Sequence, residues 1–194
     1  MNLSEHIKAA IQDSIQTKEK VLNNHIDQIK AMANLWINCY KNKHKLLFCG
    51  NGGSASDSQH LATELMVRLR HTKNRPAMPA IALTTDTSLL TAGANDLGFD
   101  QIFARQIEGL GQHGDVLVAL STSGNSANVI EAVKIAKNKG IKVSGFLGND
   151  GGKLAKLCDQ SVIIPHTDSG RIQECHIMIG HILCDIVEQE IYGE

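Results

Sequence analysis

His60 and Glu64 stand four residues apart, and Gln173 and His181 stand eight apart in a stretch more than a hundred residues further along the chain. Both spacings are close to whole helical turns, so each pair shares one face if its stretch is helical. Imidazole nitrogens and a carboxylate oxygen serve as zinc ligands, among which Gln is uncommon, and they serve equally as proton carriers. The residue types alone leave a metal site and a hydrogen-bonded acid–base cluster both open. His176 falls on a different face of the same stretch and reads as a packing or surface residue.

Two turns accompany these pairs. Ser121-Thr122-Ser123-Gly124-Asn125-Ser126 joins an apolar run to a helical pattern. A turn in that position aims free backbone N–H groups at a ligand, and its hydroxyls add donors without fixed charge, as a phosphate monoester requires. Ser126 also suits the N-cap of the helix that follows. Cys49-Gly50-Asn51-Gly52-Gly53-Ser54 makes a similar strand-to-helix turn, where glycine lets backbone approach a ligand. It matches neither the dinucleotide-binding glycine pattern nor a Walker loop, and a tight turn without a ligand explains it equally well. The basic run Arg68, Arg70, His71, Lys73 and Arg75 reads as a solvated loop, with an anion contact as the other option.

These residues must be held by a scaffold. The chain has 194 residues, enough for one domain with a sizeable core. Its 19 Lys and Arg nearly balance 20 Asp and Glu, and aromatic residues make up only 4%, which argues against a nucleic-acid or lipid-binding surface. Cys39, Cys49, Cys158, Cys175 and Cys184 are odd in number and scattered, and imply reduced thiols in a cytoplasmic protein, with Cys49 and Cys184 at apolar positions. No signal core and no membrane-length apolar run is present, so no membrane association is expected.

Apolar runs at 45–49, 80–83, 116–120, 143–147 and 160–164 read as strands. Helical patterns cover 54–69, 88–95, 127–139, 152–157 and 171–191. Continuous apolar strands alternating with helices predict an α/β fold, a three-layer αβα sandwich on a five-stranded parallel sheet, with ligands at the carboxyl ends of the strands. Ahead of the first strand, Leu3, Ile7, Ile11 and Ile15 recur at every fourth position, followed by Leu22, Ile26, Ile29, Met32 and Ala33. Residues 1–43 therefore form an N-terminal helical extension whose stripe suits pairing between subunits, and 44–194 form the αβα core of a single domain.

Together the Cys49–Ser54 turn, the His60/Glu64 pair, Pro79-Ala80-Ile81-Ala82-Leu83, Asn95-Asp96-Leu97-Gly98-Phe99, the Ser121–Ser126 turn and Arg171-Ile172-Gln173-Glu174 resemble the sugar isomerase (SIS) superfamily, and within it the phosphoheptose isomerase family. The resemblance spans nearly the whole chain and implies a flavodoxin-like SIS fold. It also implies an aldose–ketose isomerase that converts sedoheptulose 7-phosphate to D-glycero-D-manno-heptose 7-phosphate, the first step toward the heptose of lipopolysaccharide core. Asn51, Gly52, Gly53, Glu64, Asn95, Asp96, Ser121, Thr122, Ser123, Ser126 and Gln173 would bind the phosphosugar. His60, Glu64, Gln173 and His181 would hold one zinc per subunit, with Glu64 as base and His181 as acid in a cytoplasmic homotetramer. The 166–170 stretch departs from the family pattern, with Gly170 where Ala or Asp is expected, and no substrate contact is assigned to it. The alternative is a non-catalytic SIS protein, either a phosphosugar-sensing regulator or a replication-initiator-binding protein, which the 11–17 segment resembles. The replication-initiator-binding group lacks the full ligand set that this chain keeps.

Overall fold

A computed structural model describes residues 1–72 and 74–193, so Lys73 of the basic run lies outside the described residues. Two N-terminal helices separated by His25 alone, α1 (Leu3–Asn24) and α2 (Ile26–Lys41), precede β1 (Leu46–Cys49), α3 (Gly53–Met66), β2 (Ala80–Ala82) and α4 (Thr87–Leu97). There follow α5 (Ile102–Leu110), β3 (Val116–Ser121), α6 (Ala127–Asn138), β4 (Lys142–Gly148), β5 (Gln160–Ile164) and α7 (Ser169–Tyr192). The five strands pair in parallel in the order β2-β1-β3-β4-β5. Chain order reverses between β1 and β3, and in such sheets the crevice beyond the carboxyl ends at that point receives the ligand.

Alternation along each strand divides the core. Leu46, Phe48, Val116, Val118, Leu120 and Phe146 face a cluster closed by α2, α3 and α7. Leu47, Cys49, Leu117, Ala119, Val143 and Leu147 face a second cluster closed by α5 and α6. Burial on both faces of β1, β3 and β4 explains why these central strands read as apolar runs, while the edge strands β2 and β5 carry exposed positions at Ile81 and Gln160. On the first face Trp36 of α2 donates from Nε1 to Ser144 Oγ at 3.1 Å and meets Phe48 edge-on, so its polar atom is satisfied within the core.

Several sequence expectations need correction. The helix expected over 54–69 stops at Met66, and the 152–157 helix is only a 3₁₀ turn, Leu154–Lys156. Gly151 and Gly152 both take positive φ there, which a regular helix does not accommodate. Helix α5 has no counterpart in the sequence reading, although Ile102, Phe103, Ala104, Gln106 and Ile107 are buried. The N-terminal stripe divides: Ile29, Met32 and Ala33 enter the core, while Leu3, Ile7, Ile11, Leu22 and Ile26 remain exposed on the single chain. No helix among the described residues is long and apolar enough to cross a membrane.

His176 is a packing residue. It is fully buried on α7, its Nε2–H donates to Leu147 O at 3.0 Å, and its ring meets Phe146 edge-on. Burial pulls its pKa down to about 4, so the ring is neutral in the fold but protonates near pH 6.5 when unfolded. A depressed folded pKa means this stability is present above pH 6.5 and is lost as pH falls toward 4, by roughly 3 kcal/mol. Urea unfolding at pH 7 and pH 4 should show this loss in the native sequence, and His176→Gln should remove most of that part of it.

Candidate functional site

The two loops at the topological switch point are tied together by a side-chain pair. Asn51, after β1, and Asn128, in the first turn of α6, exchange reciprocal Nδ2→Oδ1 hydrogen bonds, each 2.8 Å long. Asn128 Oδ1 also accepts from the Val129 amide at 2.9 Å. The sequence reading missed Asn128, because an amide near a helix start reads as an ordinary solvated residue. Gly52 precedes α3 with a φ of 56° and no side-chain cap; the Ser54 and Ala55 amides donate to Asn51 O and Gly52 O, each at 3.0 Å, which leaves the Gly53 N–H open to a ligand.

In the serine turn, Ser126 occupies the N-cap position of α6 but makes no side-chain capping bond. Its hydroxyl instead lies 2.9 Å from that of Ser121, a buried residue at the end of β3. Thr122 Oγ1 lies 3.3 Å from Ser169 Oγ at the start of α7, and Ser123 Oγ accepts from the Asn125 amide at 3.1 Å. Gly124 takes a φ of 64° because the turn passes against the Gly151–Gly152 backbone, where any Cβ would collide. An open depression of about 580 Å³ beside the turn is lined by Ser123, Asn125, Asn149, Asp150, His166 and their neighbours. It includes His166 and Thr167 from the stretch to which no substrate contact was assigned, and none of the paired His and Glu residues.

Those residues come together where α3 lies against α7. His60 Nε2 and His181 Nε2 are 2.7 Å apart, and Glu64 Oε1 is 3.2 Å from His60 Nε2. The three ligand atoms all fall within 4.8 Å of one another. Two imidazole nitrogens this close share at most one proton between them, and with a carboxylate oxygen alongside they form a nitrogen- and oxygen-donor set suited to zinc. Gln173 reaches the start of α3, where a Cβ on Gly53 would meet its Nε2 and Oε1, both at 2.6 Å. Asn95 and Asp96 lie at the exposed C-terminal end of α4, with Asn95 Nδ2 donating to Asp96 Oδ1 at 2.7 Å.

Asp57 was not singled out from the sequence, yet it stands one turn before His60 on α3. Its Oδ2 is buried without a hydrogen-bond partner, and burial raises its pKa to about 6 against the opposing pull of His60. The basic run is also corrected here: Arg75 is not solvated but is buried against Glu188 and the end of α3. Arg70 does lie at the surface, in an ion pair with Asp185.

Residues 11–148 match the SIS domain family. The chain is 52% identical over 190 residues to the phosphoheptose isomerase of Clostridium acetobutylicum, covering 97% of this chain and 96% of that protein. With the phosphoheptose isomerase of Sulfurimonas denitrificans it shares 46% identity over 194 residues, covering 99% and 98%. The solved phosphoheptose isomerase of Neisseria gonorrhoeae superimposes with a TM-score of 0.91 at 43% identity, covering 97% of this chain and all of that one.

The α3–α7 approach depends on Gly180, where a Cβ would come within 2.6 Å of Leu61 Cδ2 and 3.1 Å of its Cγ. Leu61 is fully buried and has little room to yield. Gly180→Ala should cost about 1–3 kcal/mol in urea unfolding. The same change at Gly109, a helical glycine of α5 with open space around it, should stay within about 1 kcal/mol of the native sequence.

Proposed function

The chain belongs to the phosphoheptose isomerase family of SIS-domain proteins, and we propose that the crevice where α3 and α7 meet carries that family's reaction, the aldose–ketose isomerisation of sedoheptulose 7-phosphate. The protein is accordingly an isomerase. The observation that carries the assignment of the site is the convergence of His60, Glu64 and His181 from two helices, beside a hydroxyl-rich turn at the sheet's switch point.

The substrate's phosphate would lie on Ser121, Thr122, Ser123 and Ser126, at the uncapped start of α6, where hydroxyls and amide N–H groups converge without a basic side chain. Asn51, Gly52 and Gly53 would hold the sugar hydroxyls next to α3. Gln173, lying on Gly53, would border the same space, and Asn95 and Asp96 would complete the substrate contacts. Zinc fits the donor set of His60, Glu64 and His181, with Gln173 as the remaining candidate ligand, and would polarise the sugar oxygens as a Lewis acid.

Proton movement falls to the chain's own groups. Glu64 takes the proton from C1 of the ketose while His181 gives one to the C2 carbonyl oxygen, producing a cis-enediol. His181 then recovers the proton of the C1 hydroxyl, and Glu64 returns its proton to C2, leaving an aldehyde at C1. One carboxylate serves both carbons because they are adjacent and exposed on one face. A carboxylate has two oxygens and an imidazole two nitrogens, so Glu64 and His181 can each present one atom to the donor set and use the other for the proton.

A homotetramer follows from the same reading. It is supported by the exposed Leu3, Ile7 and Ile11 of α1 and by an apolar groove lined by Ile15, Leu22, Ile26, Met178 and Ile182. A cytoplasmic location is supported by five cysteines that are all free.

Purified protein should form the manno-heptose 7-phosphate from sedoheptulose 7-phosphate, lose activity on chelation and regain it with zinc. Glu64→Gln should bind the substrate within about tenfold of the native affinity yet turn over at least about a thousandfold more slowly. Appreciable turnover in that variant would remove Glu64 from the role of base.

A further inference from the structure

We propose that the buried ion pair between Arg75 and Glu188 is a positioning clamp that sets Glu64 of α3 against His181 of α7. The inference rests on the reading of His60, Glu64 and His181 as a metal and proton-transfer centre. The Arg75 and Glu188 side chains are only 2% and 1% exposed. Arg75 comes from the connection between α3 and β2, and its planar guanidinium reaches two helices at once. Nε donates to Glu188 Oε2 at 2.7 Å, while Nη2 donates to Glu64 O at 2.9 Å and Nη1 to Leu65 O at 2.8 Å. Nη1 also donates to Pro76 O at 3.0 Å, which fixes the approach of the connection itself.

The two helix carbonyls belong to the last turn of α3, where a helix has no N–H of its own to offer them. A cation at that end also suits the helix dipole. The guanidinium therefore grips the backbone of the very residue whose side chain faces His60. Glu188 stands on α7, seven residues beyond His181, so the grip is referred directly to the helix that carries the third group. Arg alone among the basic side chains provides a rigid fork able to satisfy a carboxylate and two carbonyls together.

The pair is poorly suited to being a stability device alone. Buried ion pairs gain little over apolar residues of similar size, and here Glu188 Oε1 is left without a hydrogen-bond partner. What the pair does supply is direction. Neither charge can leave the interior without stranding the other, so the end of α3 is held at one rotation relative to α7. Arg75 and Glu188 touch neither substrate nor metal in this scheme and act through Glu64 and His181.

The test compares three full-length proteins after chelation: the native sequence, Arg75→Lys, and the double variant Arg75→Met with Glu188→Met. Lysine keeps the charge opposite Glu188 but loses the fork, and the double variant removes both charges without stranding either. Folding is read by circular dichroism and thermal unfolding, Zn²⁺ affinity by calorimetric titration, and kcat and KM with sedoheptulose 7-phosphate. Both variants should fold and bind Zn²⁺ about 10–100-fold more weakly. Their kcat should fall about tenfold or more, with KM within about threefold. A folded double variant with native Zn²⁺ affinity and kcat would overturn the clamp, as would two variants that both fail to fold, since the pair would then be needed for folding itself. Native protein that binds no Zn²⁺ would overturn the metal centre and the clamp together, whereas native binding with unchanged variants overturns the clamp alone.

Discussion

Everything at the candidate site depends on how closely α3 and α7 approach. Three contacts in sequence order set that approach: Gln173 on Gly53, Gly180 against Leu61 with His181 on His60, and Glu188 through Arg75 to Glu64 and Leu65. Because both numbers rise together, the helices run in the same direction along their contact. Glycine at 53 and at 180 removes the side chain that would otherwise hold the helices apart. Leu61 fills one gap and the Gln173 amide the other. Two imidazoles and a carboxylate from segments 121 residues apart in sequence can then meet across a few ångströms.

The parallel sheet brings the remaining chemistry to the same end. With the order β2-β1-β3-β4-β5, the turns after β1 and β3 are neighbours at the switch point, and the Asn51–Asn128 amide pair fixes one to the other. The α7 start then passes both turns, with Ser169 near Thr122 and Gln173 on Gly53, before it reaches His60. One helix thus touches the proposed phosphate turn, the proposed sugar turn and the proposed proton-transfer cluster. Such a layout suits a small phosphosugar held by its phosphate at one end and worked upon at the other.

Much of this was legible in the residues. The strands stand within a residue or two of their expected bounds; the central β1, β3 and β4 are buried on both faces and so read as short apolar runs between turns. The His60/Glu64 and Gln173/His181 spacings were readable because a helix imposes its own period. Helix α5 was not, since it is only nine residues long and follows directly on a 3₁₀ turn at Phe99–Gln101. Asn128 and Arg75 were illegible for a different reason. Their partners, Asn51 and Glu188, lie 77 and 113 residues away, and a polar residue declares its burial only when the fold delivers its partner. A charge within a basic run looks solvated until a buried carboxylate is found opposite it. The exposed part of the N-terminal stripe and the placement of Asn95 and Asp96 concern surfaces that a single chain leaves open.

The most direct measurement is zinc K-edge X-ray absorption on protein that has been chelated and returned to zinc. The convergence of α3 and α7 predicts about one retained zinc per chain, with two imidazole nitrogens and a carboxylate oxygen at about 2.0–2.2 Å and no sulfur. A sulfur shell at about 2.3 Å, drawn from the cysteines, or a single imidazole, or no retained zinc would contradict it.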